Sequence, residues 1–231
     1  INKTLMQNGV LYARYRDGEV LHKGYLDDYA FLVWALLELY QATYTVDYLA
    51  QAVSLAEEMV ALFWDKEHTG FFLTREGARD LIVRPKDTYD GAVPAGNSVA
   101  VMDLLRLSHL LGIDRFEELG LSAISGMEGR LRQNPAAYGF MLSALSYVEG
   151  ARDITVMARQ GDPNAESMLN YIRSLFLPES QVIFAGDRAK VRGESLEDTS
   201  ELPTSTVCQR RVCGPPITNV LGLQRALMVA R

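Results

Sequence analysis

Arg84-Pro85-Lys86-Asp87-Thr88-Tyr89-Asp90-Gly91-Ala92-Val93-Pro94-Ala95-Gly96-Asn97-Ser98 gathers charge, aromatic hydroxyl groups and turn residues into one run and ends on a helix start. It feeds a largely apolar segment, Val99 to Leu111, and a second acidic entry, Gly24-Tyr25-Leu26-Asp27-Asp28-Tyr29, feeds another at Ala30 to Tyr40. Residues 26–43 carry charge only at Asp27, Asp28 and Glu38, which predicts a helix buried on most sides. Residues 47–64 differ: Gln51, Ser54, Glu57 and Glu58 fall on one face, and Leu49, Ala52, Val53, Ala56, Met59, Val60 and Phe63 on the other.

The same alternation continues along the chain. Residues 96–111 are largely apolar, with Asp103 and Arg106 spaced as an i,i+3 pair. Residues 114–132 are amphipathic, with Glu117, Glu118, Ser125, Glu128 and Arg132 on the polar face, and 136–148 is again apolar. Buried, exposed, buried, exposed, buried is the order expected of an α/α toroid, in which each hairpin contributes one inner and one outer helix. The connections from outer to inner helices then share one end of the toroid, the end where the inner helices begin. The longest of them, Asp65 to Val93, is read as holding a small hairpin, Gly70 to Thr74 against Leu81 to Arg84, turning at Glu76-Gly77. Gly9 to Tyr15 and Val20-Leu21, with Asp17-Gly18 as the turn, make a second hairpin on that face.

After Gly150 the pattern changes. Asp153 to Ala158 reads as a strand, Pro163 to Phe176 as a helix and Gln181 to Ala185 as a second strand, a small β-α-β unit. Arg188 to Ser205 reads as loop, Thr206-Val207-Cys208 as a short strand and Ile217 to Val229 as a closing helix. The predicted architecture is therefore mainly α: helical hairpins with a β-hairpin insertion over 1–150, and a small C-terminal α/β unit over 151–231 packed on the same domain.

With 48% hydrophobic and 23% charged residues, the chain has the balance of a soluble globular protein. A net charge of −6 and the absence of a basic stripe exclude a nucleic-acid surface, since Arg210-Arg211 stands alone. No apolar run of spanning length is free of charge, so no membrane span is expected. The chain begins at Ile1 with no readable targeting segment, and a cytoplasmic location is expected. Cys208 and Cys213, spaced Cys-x4-Cys, form half a zinc site at most. They are expected as reduced thiols, with a disulfide or redox role as the alternative. No metal or cofactor is expected.

Asp27 and Asp28 diverge by about 100° on a helix, so one is expected to cap and the other to act, the alternative being that both simply favour the helix N-terminus through capping and the macrodipole. Asp28 and Asp90 are the candidate acid-base groups, with Arg84 and Lys86 as anion or hydroxyl contacts. Asn97 and Ser98 read as an N-cap offering backbone N–H groups to a carboxylate or hydroxyl, although capping alone explains them equally well. Tyr25, Tyr29, Trp34, Tyr89 and Tyr138 offer stacking faces for a sugar ring, or else core packing. An acid, a base and cations around an apolar cavity suit acid-base work on a polar small molecule. The competing expectation is a non-catalytic binding or regulatory module.

The segments Gly24 to Phe31, Leu81 to Asp87, Tyr89 to Ala100, Ala136 to Leu145 and Cys208 to Thr218 resemble the C-terminal half of the YyaL-type, spermatogenesis-associated thioredoxin-like proteins. The resemblance covers nearly the whole chain in one order. It implies an N-terminal thioredoxin-like domain as a partner, followed by a six-hairpin, glycosidase- or epimerase-like toroid, of which this chain holds the last part. It implies a carbohydrate-like site rather than one settled reaction. Because part of such a ring lies outside the chain, exposed apolar surface on the inner helices, or its cover by self-association, is also expected.

Overall fold

A computed structural model of the chain describes residues 1, 3–77, 83–159, 161–195 and 203–229. The chain opens on strands β1 (Met6–Gln7), β2 (Val10–Arg16) and β3 (Glu19–Lys23), paired antiparallel in that order. Asp17 and Gly18, at φ 53° and 85°, form the two-residue turn that sets Arg16 opposite Glu19.

Five helices follow: α1 (Leu26–Thr43), α2 (Val46–Phe63), α3 (Gly96–Leu111), α4 (Asp114–Gln133) and α5 (Gly139–Gly150). They form two layers. Helices α1, α3 and α5 lie side by side with α3 in the middle, while α2 backs α1 and α4 backs α3. Helix α3 is buried on nearly every side, and only Met102, Arg106 and His109 mark a stripe that is partly open. Helices α2 and α4 are amphipathic, as their spacing predicts. Helix α2 turns Leu49, Ala52, Ala56, Met59 and Phe63 inward, each at 0% exposure, and each large apolar side chain so buried contributes roughly 1.5–3 kcal/mol.

Helix α5 departs from the expectation of a third largely buried helix. It begins at Gly139, after a short 3-10 turn at Pro135–Ala137, and buries only the stripe Met141, Ala144 and Tyr147. Its position at the edge of the layer leaves Ser143, Leu145, Ser146 and Glu149 on the surface. The Gly70–Thr74 arm of the hairpin expected within 65–93 pairs chiefly with the end of α2. Phe71 bridges back to Trp64 and Phe72 N–H donates to Phe63 O, while Leu73 N–H reaches Pro85 O at 2.8 Å. The chain thus folds back on the end of α2, and Leu81 and Ile82 lie outside the described residues.

The C-terminal part holds β4 (Arg152–Met157), α6 (Pro163–Arg173), β5 (Ser180–Phe184), α7 (Ala185–Arg192), β6 (Thr204–Gln209), β7 (Val212–Cys213) and α8 (Val220–Val229). Its sheet runs β5-β4-β6-β7, with β4 parallel to β5 across α6 and antiparallel to β6. Helix α6 starts where Asp162 accepts from the Asn164 and Ala165 amides. Helix α7 replaces the first part of the loop expected from Arg188, and ends at Gly193, whose φ of 69° closes it. One core cluster runs from Leu36, Tyr40 and Tyr44 of the helical layers through Ile154, Val182 and Phe184 of this sheet. Gln41 seals the junction by donating to Val182 O and accepting from Val182 N–H.

Candidate functional site

The N-termini of α1, α3 and α5 meet at one end of the front layer, and the acidic motifs converge there. Their roles differ from those expected. Asp28 turns back on its own helix, its Oδ2 accepting from Tyr25 N–H at 2.8 Å, and so closes the first turn. Asp27 turns across to α3 and accepts from the Gly96 amide. Burial holds the Asp27 carboxyl above the ordinary carboxylate range, the neighbouring Asp87 and Asp28 push it further, and the Gly96 amide pulls the other way.

Asp90 is engaged on both oxygens. Oδ1 accepts from Ala95 N–H at 2.9 Å, and Oδ2 accepts from the Phe140 and Met141 amides at 2.8 and 3.0 Å. It therefore caps α5 from a loop fifty residues away, supplying the acceptor that α5 lacks in its own sequence. Asn97 and Ser98 lie inside the first turn of α3 rather than at its cap, which is Ala95. Asn97 is 2% exposed. It accepts from Phe71 N–H and donates to Phe71 O and Asp87 O, fixing the loop to the helix. Ser98 is fully buried, and its hydroxyl has no hydrogen-bond partner among the described residues.

Arg84 and Lys86 lie under the loop. Arg84 stacks its guanidinium 4.0 Å from the centre of the Phe72 ring and donates to Thr74 O and Leu62 O. Lys86 pairs with Asp65 at 2.6 Å and donates to Thr69 O. Burial acts to raise the Asp65 carboxyl, but Lys86 and the Glu67 and His68 amides outweigh it and hold it down at about 2. A cleft of about 160 Å³ opens beside them, lined by Lys86, Thr88, Asn97, Met127 and Arg130. Tyr25 and Tyr89 stand exposed at this end, at 41% and 63%, and Tyr138 is half-buried at the cap of α5. Tyr29 is core: its hydroxyl donates to Glu58 and its ring meets Phe63 edge-on. The end thus unites Asp27, Asp87, Tyr25 and Tyr89, and leaves Tyr29 and Ser98 in the interior.

A second polar cluster joins residues far apart in sequence on α1, α3, α5 and β5. Glu38 accepts from Trp34 Nε1 at 3.0 Å and from Arg106 at 2.7 Å, and Arg106 also donates to Gln181, which bonds Tyr147. Arg106 therefore crosses to α1 instead of pairing with Asp103. Asp103 is fully buried with neither oxygen hydrogen-bonded among the described residues. Burial raises its carboxyl well above the usual range, although Arg106 opposes this and Glu38 adds to it. The sequence signal is the i,i+3 spacing of Asp103 and Arg106 in a largely apolar helix.

The expectation of reduced thiols is corrected. Cys208 and Cys213 are joined by a disulfide, because β6 and β7 set them directly opposite each other with Cα atoms 4.0 Å apart. Among the described residues no cluster of His, Cys, Asp and Glu fits a metal ion, and no helix is long and apolar enough to cross a membrane.

The fold and this end of it define a mainly helical module with two small sheets and an acidic, tyrosine-flanked mouth. No family model matches the chain. Its homologues include spermatogenesis-associated protein 20: it is 33% identical to the rat protein over 215 residues and 30% identical to the human protein over 213, in each case 88% of this chain and 27% of the relative. An uncharacterised protein of Caenorhabditis elegans is 30% identical over 210 residues, 87% of this chain and 28% of the relative. The chain thus spans 27–28% of the length of these relatives.

Proposed function

We propose that this chain is the C-terminal toroid portion of a longer, thioredoxin-domain-containing protein, and that the mouth formed by α1, α3 and α5 binds a sugar-like, polyhydroxylated small molecule. The observation that carries the reading is Asp27. Its carboxyl is raised by burial and by Asp87, and Tyr25 and Tyr89 are exposed at the same end. Two neighbouring carboxyls, one inclined to keep its proton, can donate to one hydroxyl and accept from another, and a tyrosine face suits the apolar side of a sugar ring. Asp27 with Asp87 replaces the pair Asp28 and Asp90 as the acid-base candidates of a glycosidase- or epimerase-like reaction.

A non-catalytic binding or regulatory role beside a thioredoxin-like domain is favoured by a different observation: Asp28 and Asp90 are engaged as caps. A thermal-shift screen of the full-length protein against sugars, sugar acids and amino sugars tests the ligand class, since binding to the native state alone raises apparent stability. Asp27→Asn and Asp87→Asn are expected to remove the ligand-dependent shift while keeping the unliganded fold. Retention of the shift in both variants overturns the site, and a bound ligand that is never turned over selects the non-catalytic role.

A further inference from the structure

A second cavity, of about 210 Å³, lies away from the helix mouth, between the C-terminal end of α3, the start of α4, β4 and the tip of the β6–β7 hairpin. His109, Asp153, Asp114, Glu117 and Arg211 line it. His109 Nδ1 lies 3.0 Å from Asp153 Oδ2, so the carboxylate orients the ring and leaves Nε2 turned away from it. The ring is further held edge-on against Tyr147, and the His109 side chain is 14% exposed. Asp153 Oδ1 is buried with no hydrogen-bond partner among the described residues.

Arg211 lines this cavity from the hairpin tip. It donates to Asp114 at 2.8 Å and to Glu117 on the first turn of α4, while Arg210 reaches Glu149 O at the end of α5. The tip holding these arginines is under tension. Arg210 and Arg211 form the two-residue turn with φ of 49° and 63°, a left-handed conformation that residues with a β-carbon resist. Immediately behind the turn, the Cys208–Cys213 bond ties the strands together, with Cys213 exposed on the edge strand of the sheet.

We propose that the Cys208–Cys213 hairpin is a redox-operated lid: the disulfide keeps Arg211 over the cavity, and its reduction releases the lid and exposes the His109–Asp153 acid-base pair to small polar molecules. The reductant is a dithiol. One of its thiolates attacks Cys213 Sγ, the disulfide bond breaks, and Cys208 leaves as a thiolate that takes up a proton. The second thiolate then displaces Cys213 from the mixed disulfide, and Cys213 takes up the second proton. Two electrons pass to the protein and the dithiol becomes its own disulfide. Without the cross-link, the turn relaxes from its left-handed conformation and the exposed Arg211 pairs no longer hold it in place.

Diethyl pyrocarbonate labelling of the whole protein, read peptide by peptide by mass spectrometry at one fixed pH, tests this. His22 and His68 are exposed and serve as internal references. In the oxidised protein His109 is expected to label slowly; dithiothreitol should raise its rate about tenfold, as the open form becomes populated, and leave His22 and His68 unchanged. The Cys208→Ser, Cys213→Ser double variant should show the fast rate without dithiol. Arg211→Ala, which keeps the disulfide and removes only the anchor, should raise the rate in the oxidised protein, so the test does not depend on the cysteine variant folding. Equal His109 rates in oxidised and reduced protein, or an Arg211→Ala rate equal to that of the parent, overturn the lid.

Discussion

Asp27 and Gly96 are fitted to each other: a β-carbon built on Gly96 would lie 2.1 Å from Asp27 Oδ1 and 3.3 Å from the Asp27 Cα. Glycine is needed here for close approach, so that the first amide of α3 can meet a carboxylate from α1. Gly96→Ala forces the carboxylate aside and separates the two helix mouths. It is expected to destabilise the fold by about 1–3 kcal/mol, measured by urea denaturation. The effect should shrink in an Asp27→Gly background, because the clash and the lost hydrogen bond then have one partner already gone. Additive losses contradict the coupling.

Asp90 ties the loop to α5 through the Phe140 and Met141 amides and closes the loop on itself through the Ala95 amide. Asp90→Ala leaves those donors without their acceptor and is expected to cost about 1–2 kcal/mol. The loss should be local. Amide exchange at Phe140 and Met141 should accelerate before that of α2, whereas a uniform change would argue against the cap.

Much of this arrangement was legible in the sequence because it depends on period. The apolar stretch after Leu26 and the two-faced stretch after Val46 announce a front and a back helix through their own spacing. What the sequence did not show is set by partners far along the chain. Asp27 and Asp28 are equivalent by position, and only the packing of α1 beside α3 decides which one reaches Gly96. Asp103 and Arg106 have the spacing of a pair, yet Glu38 on another helix captures the arginine. The cysteines meet through a turn of two arginines at positive φ, which carries none of the glycine or asparagine that marks such turns. Helix α5 looked buried from composition alone, but Ser143, Ser146 and Glu149 repeat every third residue along its open face.

The Lys86–Asp65 pair gives an acid-side prediction. Asp65 has an ordinary value of 3.8 and is held at about 2 in the folded protein. A depressed carboxyl contributes stability that is fully present above 3.8 and is lost as pH falls from there through about 2. The pair is mostly buried, and its contribution is on the order of 2 kcal/mol or less. Asp65→Asn should therefore lower the melting temperature at pH 7, and the gap from the parent should close as both are titrated from pH 4 towards pH 2. A gap that stays constant over that range assigns the loss to packing instead.

Asp103 makes the opposite prediction. Its carboxyl is raised well above 3.8 by burial, so the folded protein disfavours the ionised form that the unfolded chain adopts freely. Stability on this account is greatest below pH 3.8 and declines as pH rises above it, until the folded group itself ionises. Asp103→Asn removes the ionisation without changing the shape of the side chain. It is expected to stabilise the protein at pH 7 by more than the roughly 0.5 kcal/mol typical of surface substitutions, an advantage that fades as pH approaches 3.8. Melting temperatures of the two proteins across this range decide the matter. If Asp103→Asn is less stable than the parent at pH 7, the carboxylate is charged and paired in the folded state, and the Glu38–Arg106 bridge shares its charge with a third member.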